Sequence, residues 1–111
     1  MKLITAIIKP EKLDELVEVL IDNRAHGLTV TEARGFGRQL GQLGQPASRP
    51  RAVLLPKLRL EVVALDDDAE ALVEVIAKYA RTETIGDGKI WVTPVDHVLR
   101  VRTGERDRAA V

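Results

Sequence analysis

The chain has 111 residues, 45% of them hydrophobic, with no Cys and a single Phe, Trp and Tyr. That length suits one compact domain burying about two-thirds of its unfolded surface, and no run of about 18 apolar residues offers a membrane span. Without Cys there is no disulfide scaffold or thiol chemistry, and the balance of 17 basic against 17 acidic residues argues against a nucleic-acid partner, as does the lack of aromatic stacking platforms.

The chain opens on Met1-Lys2-Leu3-Ile4 with no apolar leader, so it is expected in the cytoplasm. Residues 2–9 alternate in strand fashion until Pro10 ends the run. Leu13, Leu16, Val17, Leu20 and Ile21 then recur at helical spacing, with Asp14, Glu15 and Glu18 on the other face. Gly27 follows the helix, and Leu28 to Ala33 reads as a second strand. The second half repeats this order. Leu58, Leu60, Val62 and Ala64 share one parity of a third strand, and Asp66, Asp67 and Asp68 offer an N-cap cluster. Leu72, Val73, Ile76 and Ala80 form the stripe of a second helix, Lys89 to Val92 a fourth strand, and Val98 to Val101 a short terminal one.

Leu16-Val17-Glu18-Val19-Leu20 is echoed by Leu72-Val73-Glu74-Val75-Ile76 at an offset of 56, about half the chain. The pattern is α+β, a ferredoxin-like βαββαβ sandwich with a short extra strand at the C-terminus. Both helices would cover one face of an antiparallel sheet, and oligomerisation is the natural cover for the other.

The 22 residues from Gly35 to Pro56 are too many for an ordinary connection, commonly about 4 to 6 residues. They are rich in Gly, Gln and Pro, and read as a protruding flexible arm. Between Glu32 and Glu61 there is no acid but six bases: Arg34, Arg38, Arg49, Arg51, Lys57 and Arg59. The rest of the chain therefore carries 11 basic and 17 acidic residues, a net of minus six. A neutral total hides a basic island on an acidic body.

Three stretches could carry chemistry. In Gly86-Asp87-Gly88-Lys89, two glycines allow close backbone approach, and successive N–H groups beside Lys89 could cradle a phosphate; a plain Asp-Gly turn entering a strand reads equally well. Arg100 and Arg102, alternating in a strand, make either a two-pronged anion clamp or a charged guard on an edge. Gly35-Phe36-Gly37-Arg38-Gln39 opens the arm and could bind an anion, although no helix follows as a dinucleotide fingerprint requires.

Enzyme chemistry finds little footing. His26 and His97 lack partners at zinc-ligand spacing, the Asp66–Asp68 run reads as a cap, and Ser48 has no base near it at motif level.

Taken together, these stretches are more specific than any one. The chain resembles the PII nitrogen-signalling proteins over essentially its whole length. The resemblance is carried by the opening Met1-Lys2-Leu3-Ile4-Thr5-Ala6-Ile7-Ile8-Lys9-Pro10 and by Gly27-Leu28-Thr29-Val30-Thr31-Glu32 running into Arg34-Gly35-Phe36-Gly37-Arg38-Gln39. Leu55-Pro56-Lys57 with Glu61 matches the return strand. Ala80-Arg81-Thr82 through Ile85-Gly86-Asp87-Gly88-Lys89-Ile90 looks like the family's B-loop, and Arg100-Val101-Arg102-Thr103-Gly104-Glu105 its C-terminal signature.

That resemblance implies a single domain over 1–111, with a T-loop at 35–56, a B-loop at 82–90 and a C-terminal segment at 100–111. It implies a non-enzymatic homotrimer with ATP or ADP in three clefts between subunits. Gly86, Asp87, Gly88 and Lys89 would surround the phosphates, with Arg100 and Arg102 coming from the neighbouring subunit. Ile7, Thr29, Glu61 and Val63 would face the adenosine, and Gly35, Gly37 and Arg38 the nucleotide from the loop base. Mg2+ with ATP would create the site for 2-oxoglutarate, Gln39 supplying a metal ligand and Lys57 pairing with an effector carboxylate. Backbone amides from Gly37 through Leu40 to Gly41 would receive the rest of the effector. Occupancy would bias the T-loop toward or away from partners, an ammonium transporter or a nitrogen-metabolism regulatory enzyme, with membrane contact only through such a partner.

The departure lies at the loop tip. Family members carry there a Tyr that many bacteria modify, whereas Leu40 to Leu55 contains none and the sole Tyr is Tyr79 in the second helix. Arg49 and Arg51 remain as partner-binding candidates, and Ser48 as a weak phosphorylation candidate. The alternative is a divergent PII-like paralogue that keeps the nucleotide cleft but senses another metabolite or serves another transporter or enzyme.

Overall fold

The computed structural model describes residues 1–38 and 53–111. Chain order is β1 (Lys2–Ile8), α1 (Leu13–Asp22), β2 (Thr29–Gly35), β3 (Leu55–Ala64), α2 (Asp66–Ala80) and β4 (Lys89–Pro94), with single 3-10 turns at Pro10–Lys12 and Asp107–Ala110. The strands form a four-stranded sheet in the order β2-β3-β1-β4, and each neighbouring pair is antiparallel. β3 is inserted between β1 and β2, and β1 between β3 and β4, which is the split βαβ arrangement expected from the internal repeat.

Strand alternation decides which side chains meet the helices. Ile4, Ala6 and Ile8 of β1, with Leu58, Leu60, Val62 and Ala64 of β3, point to the helical face, where they join Leu16 and Leu20 of α1 and Ala69, Leu72, Ile76 and Ala80 of α2 in one buried cluster. The other parity places Leu3, Thr5 and Ile7 beside Val63, Glu61 and Arg59 of β3 and Thr93, Trp91 and Lys89 of β4, so these share the opposite face.

Four features differ from the sequence-based expectation. Ile21, counted in the apolar stripe of α1, is 67% exposed, because Leu16 and Leu20 fill the contact while Ile21 turns outward near the helix end. Asp66–Asp68 do not cap α2: the N-cap is Leu65 and the three acids form the first helical turn, where they still face the positive helix end. The arm is shorter at its root, since Gly35 pairs with Leu55 and Arg34 with Pro56, extending the β2–β3 ladder into the predicted loop.

The terminal strand at Val98–Val101 reduces to one bridge, Leu99 to Arg106. Gly104, at φ +73°, reverses the chain so soon that the Arg100 N–H bonds the Glu105 carbonyl at 2.9 Å and the Gly104 N–H returns to the Arg100 carbonyl at 2.8 Å. Arg100 and Arg102 therefore sit on a turn, not on one side of a strand.

Candidate functional site

β1 and β3 run antiparallel through the centre, so the C-terminal end of β1 meets the start of β3 and of β4. At that end lies a hollow of about 400 Å³. Its lining brings together Ile7, Gly35, Gly37, Arg38, Lys57, Gly86, Asp87, Gly88 and Lys89, all of them candidates from sequence. Phe36, Leu55, Ile85 and Trp91 complete its wall. Basic side chains from three segments thus face glycine-rich backbone, a donor set suited to an anion.

The loop between α2 and β4 is built around a carboxylate. Asp87 accepts hydrogen bonds from the Thr82 N–H at 2.8 Å, the Glu83 N–H at 2.9 Å and the Thr82 hydroxyl, and Lys9 Nζ lies 3.3 Å from its Oδ1. Lys9 also donates to the hydroxyls of Thr82, at 3.0 Å, and Thr84. Burial alone would raise the Asp87 pKa, but the hydrogen bonds from Thr82, Lys9 and Glu83 outweigh it and hold the carboxyl at about 2. The Asp87 carboxylate thus organises the loop that leads into β4.

Two glycines shape the rim of this loop. Gly88, at φ +96°, passes against the Ile7 carbonyl, and Gly86, at φ +92°, lies over the Lys57 and Lys9 side chains. Lys57 Nζ donates to the Gly86 carbonyl at 2.7 Å, tying the first residues of the return strand to the loop.

A second hollow, of about 530 Å³, lies toward the opposite end of β3. It takes in Thr29, Glu61, Val63 and Arg100, with Leu3, His26 and the chain end at Ala110 and Val111. Arg100 is held by Glu105 at 3.1 Å, and Arg102 lines neither of these two hollows. On β3 the nearest lining residues of the two hollows are Lys57 and Glu61, four steps or about 13 Å apart at about 3.3 Å per residue. The structure thus brings the described sequence candidates together as two groups, with Arg102 in neither.

Gln39, Leu40, Gly41, Ser48, Arg49 and Arg51 lie outside the described residues. Sequence reasoning missed Lys9, Thr82 and Thr84 as builders of the loop. Lys9 and Thr82 are separated by 73 positions, so no local spacing could have paired them.

A split-βαβ domain with a basic, glycine-lined hollow at the root of a long β2–β3 connection is the class that fold and site define. A family model described as Nitrogen regulatory protein P-II matches residues 1–105. The chain is 51% identical over 112 residues to Nitrogen regulatory protein P-II 2 of Methanothermobacter thermautotrophicus, covering 100% of this chain and 97% of that protein. It is 50% identical to Nitrogen regulatory protein P-II of Cereibacter sphaeroides and 45% identical to Nitrogen regulatory protein GlnK of Escherichia coli (strain K12), in both cases over 100% of each chain. The chain belongs to the nitrogen regulatory P-II family, and its role is in nitrogen-regulation signalling. Among the described residues, no helix is long and apolar enough to cross a membrane.

Proposed function

We propose that this chain senses ATP and ADP, and 2-oxoglutarate, as a homotrimer, and reports their levels by binding partners through residues 35–56. The observation that carries the reading is the division of the candidate residues between two hollows toward opposite ends of β3, with Arg102 in neither. A cleft between two copies would unite the Gly86–Lys89 backbone of one with Thr29, Glu61, Val63 and Arg100 of the next, and Arg102 would join the phosphates only in that assembly.

The residues present fit the ligand. Gly86 and Gly88, both at positive φ, line the hollow, and Arg38, Lys57 and Lys89 supply charge for phosphate oxygens. Among the described residues, no group of three or more His, Cys, Asp or Glu could cage a metal ion. Mg2+ would accordingly enter with the triphosphate, with Gln39 as its protein ligand. Lys57, already at the hollow's edge, would exchange its Gly86 carbonyl partner for a carboxylate of 2-oxoglutarate. The output is binding and not turnover, exerted in the cytoplasm on an ammonium transporter or a nitrogen-metabolism enzyme, with Arg49 and Arg51 as the gripping residues.

Calorimetry with ADP, ATP and Mg-ATP, alongside sedimentation of the same samples, tests this directly. Expected are three nucleotides per trimer and heat from 2-oxoglutarate only when Mg-ATP is present. A monomer binding no adenine nucleotide would end the reading. The absence of any Tyr between Leu40 and Leu55 favours one second reading, a paralogue tuned to another metabolite. Nucleotide binding with no 2-oxoglutarate heat would select it.

A further inference from the structure

Asp87 sets a problem for any anion site built on its loop. Its carboxylate is ionised down to about pH 2 and sits between Gly86 and Gly88, whose backbone lines the hollow. A full negative charge there repels a phosphate unless something neutralises it. Arg38, Lys57 and Lys89 also line the hollow, but among the described residues the cation that reaches the Asp87 carboxylate is Lys9. Lys57 is engaged instead with the Gly86 carbonyl at 2.7 Å.

Lys9 is placed for this task by the fold. It directly follows β1, whose Ile7 carbonyl meets Gly88, so the same stretch of chain supports the loop sterically and electrically. Its three ammonium hydrogens match three acceptors, Thr82 Oγ1 at 3.0 Å, Thr84 Oγ1 and Asp87 Oδ1 at 3.3 Å. The side chains of Lys9 and Asp87 are only 18% and 25% exposed, so water screens the pair far less than it would at the surface.

We propose that Lys9 is a positioning residue of the phosphate site: it masks the Asp87 charge, letting that carboxylate organise the loop without repelling the ligand. The role rests on the nucleotide reading above. It differs from simple support in one respect, since it makes the harm of losing Lys9 depend on the charge at position 87.

The test is a double-mutant cycle read by ADP titration, with thermal melting of each variant to score folding separately. Lys9→Met is expected to weaken ADP binding about tenfold, with the deficit shrinking at high salt. Lys9→Arg, which keeps the charge, should stay near wild type. The double variant Lys9→Met with Asp87→Asn should bind ADP more tightly than Lys9→Met alone. If Lys9→Met does not fold, Lys9→Gln replaces it with the same criteria. Unchanged ADP binding in the folded Lys9→Met (or Lys9→Gln) variant, or a double variant no tighter than that single one, would overturn the role while leaving the nucleotide reading intact. A wild-type protein that does not bind ADP overturns both.

Discussion

Gly88 lies so close beneath Ile7 that a Cβ added to it would fall 1.7 Å from the Ile7 carbonyl oxygen and 2.7 Å from its carbon. Both atoms belong to a central strand paired on either side, so neither can retreat. Gly88 also holds φ +96°, which side chains rarely adopt. Gly88→Ala is accordingly expected to cost about 2–4 kcal/mol in urea denaturation and to displace the loop from the hollow. Gly27→Ala, where nothing lies within 4 Å, should stay within about 0.5 kcal/mol.

Asp87 links the same loop to acidity. Its folded pKa of about 2 lies below the ordinary 3.8, so its contribution is fully present above the ordinary value and fades as pH falls through about 2. The difference between wild type and Asp87→Asn is the informative quantity, because it isolates this one carboxylate. That difference should be about 1–2 kcal/mol at neutral pH, from lost charge-assisted hydrogen bonds, and should vanish toward pH 2. Paired denaturant titrations across this range check it.

Leu20 and Ile21 are consecutive apolar residues of α1 with opposite fates. Leu20 is 1% exposed in the core and Ile21 is 67% exposed. Leu20→Ala should lose about 2–5 kcal/mol, and Ile21→Ala no more than about 0.5 kcal/mol in the isolated chain. Equal losses by chemical denaturation would contradict the observed packing.

The end of α1 offers a route to greater stability. The Ala25 N–H bonds the Leu20 carbonyl at 3.0 Å, closing the helix with Arg24 at φ 67°, the position where glycine is favoured. The Arg24 guanidinium gains little in return, since its approach to Asp68 is 3.9 Å and largely in water. Arg24→Gly should therefore raise stability by about 0.5–1 kcal/mol, seen as a higher melting temperature.

The framework was legible in the sequence because it depends on periods. Alternation through β1 and β3 and the stripes of Leu16, Leu20, Leu72 and Ile76 identify both layers, and their repetition at an offset of 56 predicts the split order. Side chains that act through distant partners were not legible. The residues of Gly86-Asp87-Gly88 stood out by type, yet the direction of the Asp87 carboxylate follows from Thr82, Glu83 and Lys9 closing around it. Val98 to Val101 shows the opposite error. Its composition suits a strand, but Gly104 reverses the chain before a ladder can grow.

The hollow at the loop base also contains the only tryptophan of the chain. Trp91 is 41% exposed and lines the same wall as Phe36 and Ile85, while the only tyrosine, Tyr79, stands apart on α2. Indole fluorescence responds to the polarity and quenching of its surroundings. The protein thus carries its own optical reporter at the candidate site, unlabelled and free of competing indole emission. Ligand entry, rearrangement of the arm's root and rearrangement of the loop can all be followed in real time by stopped-flow fluorescence on the native chain.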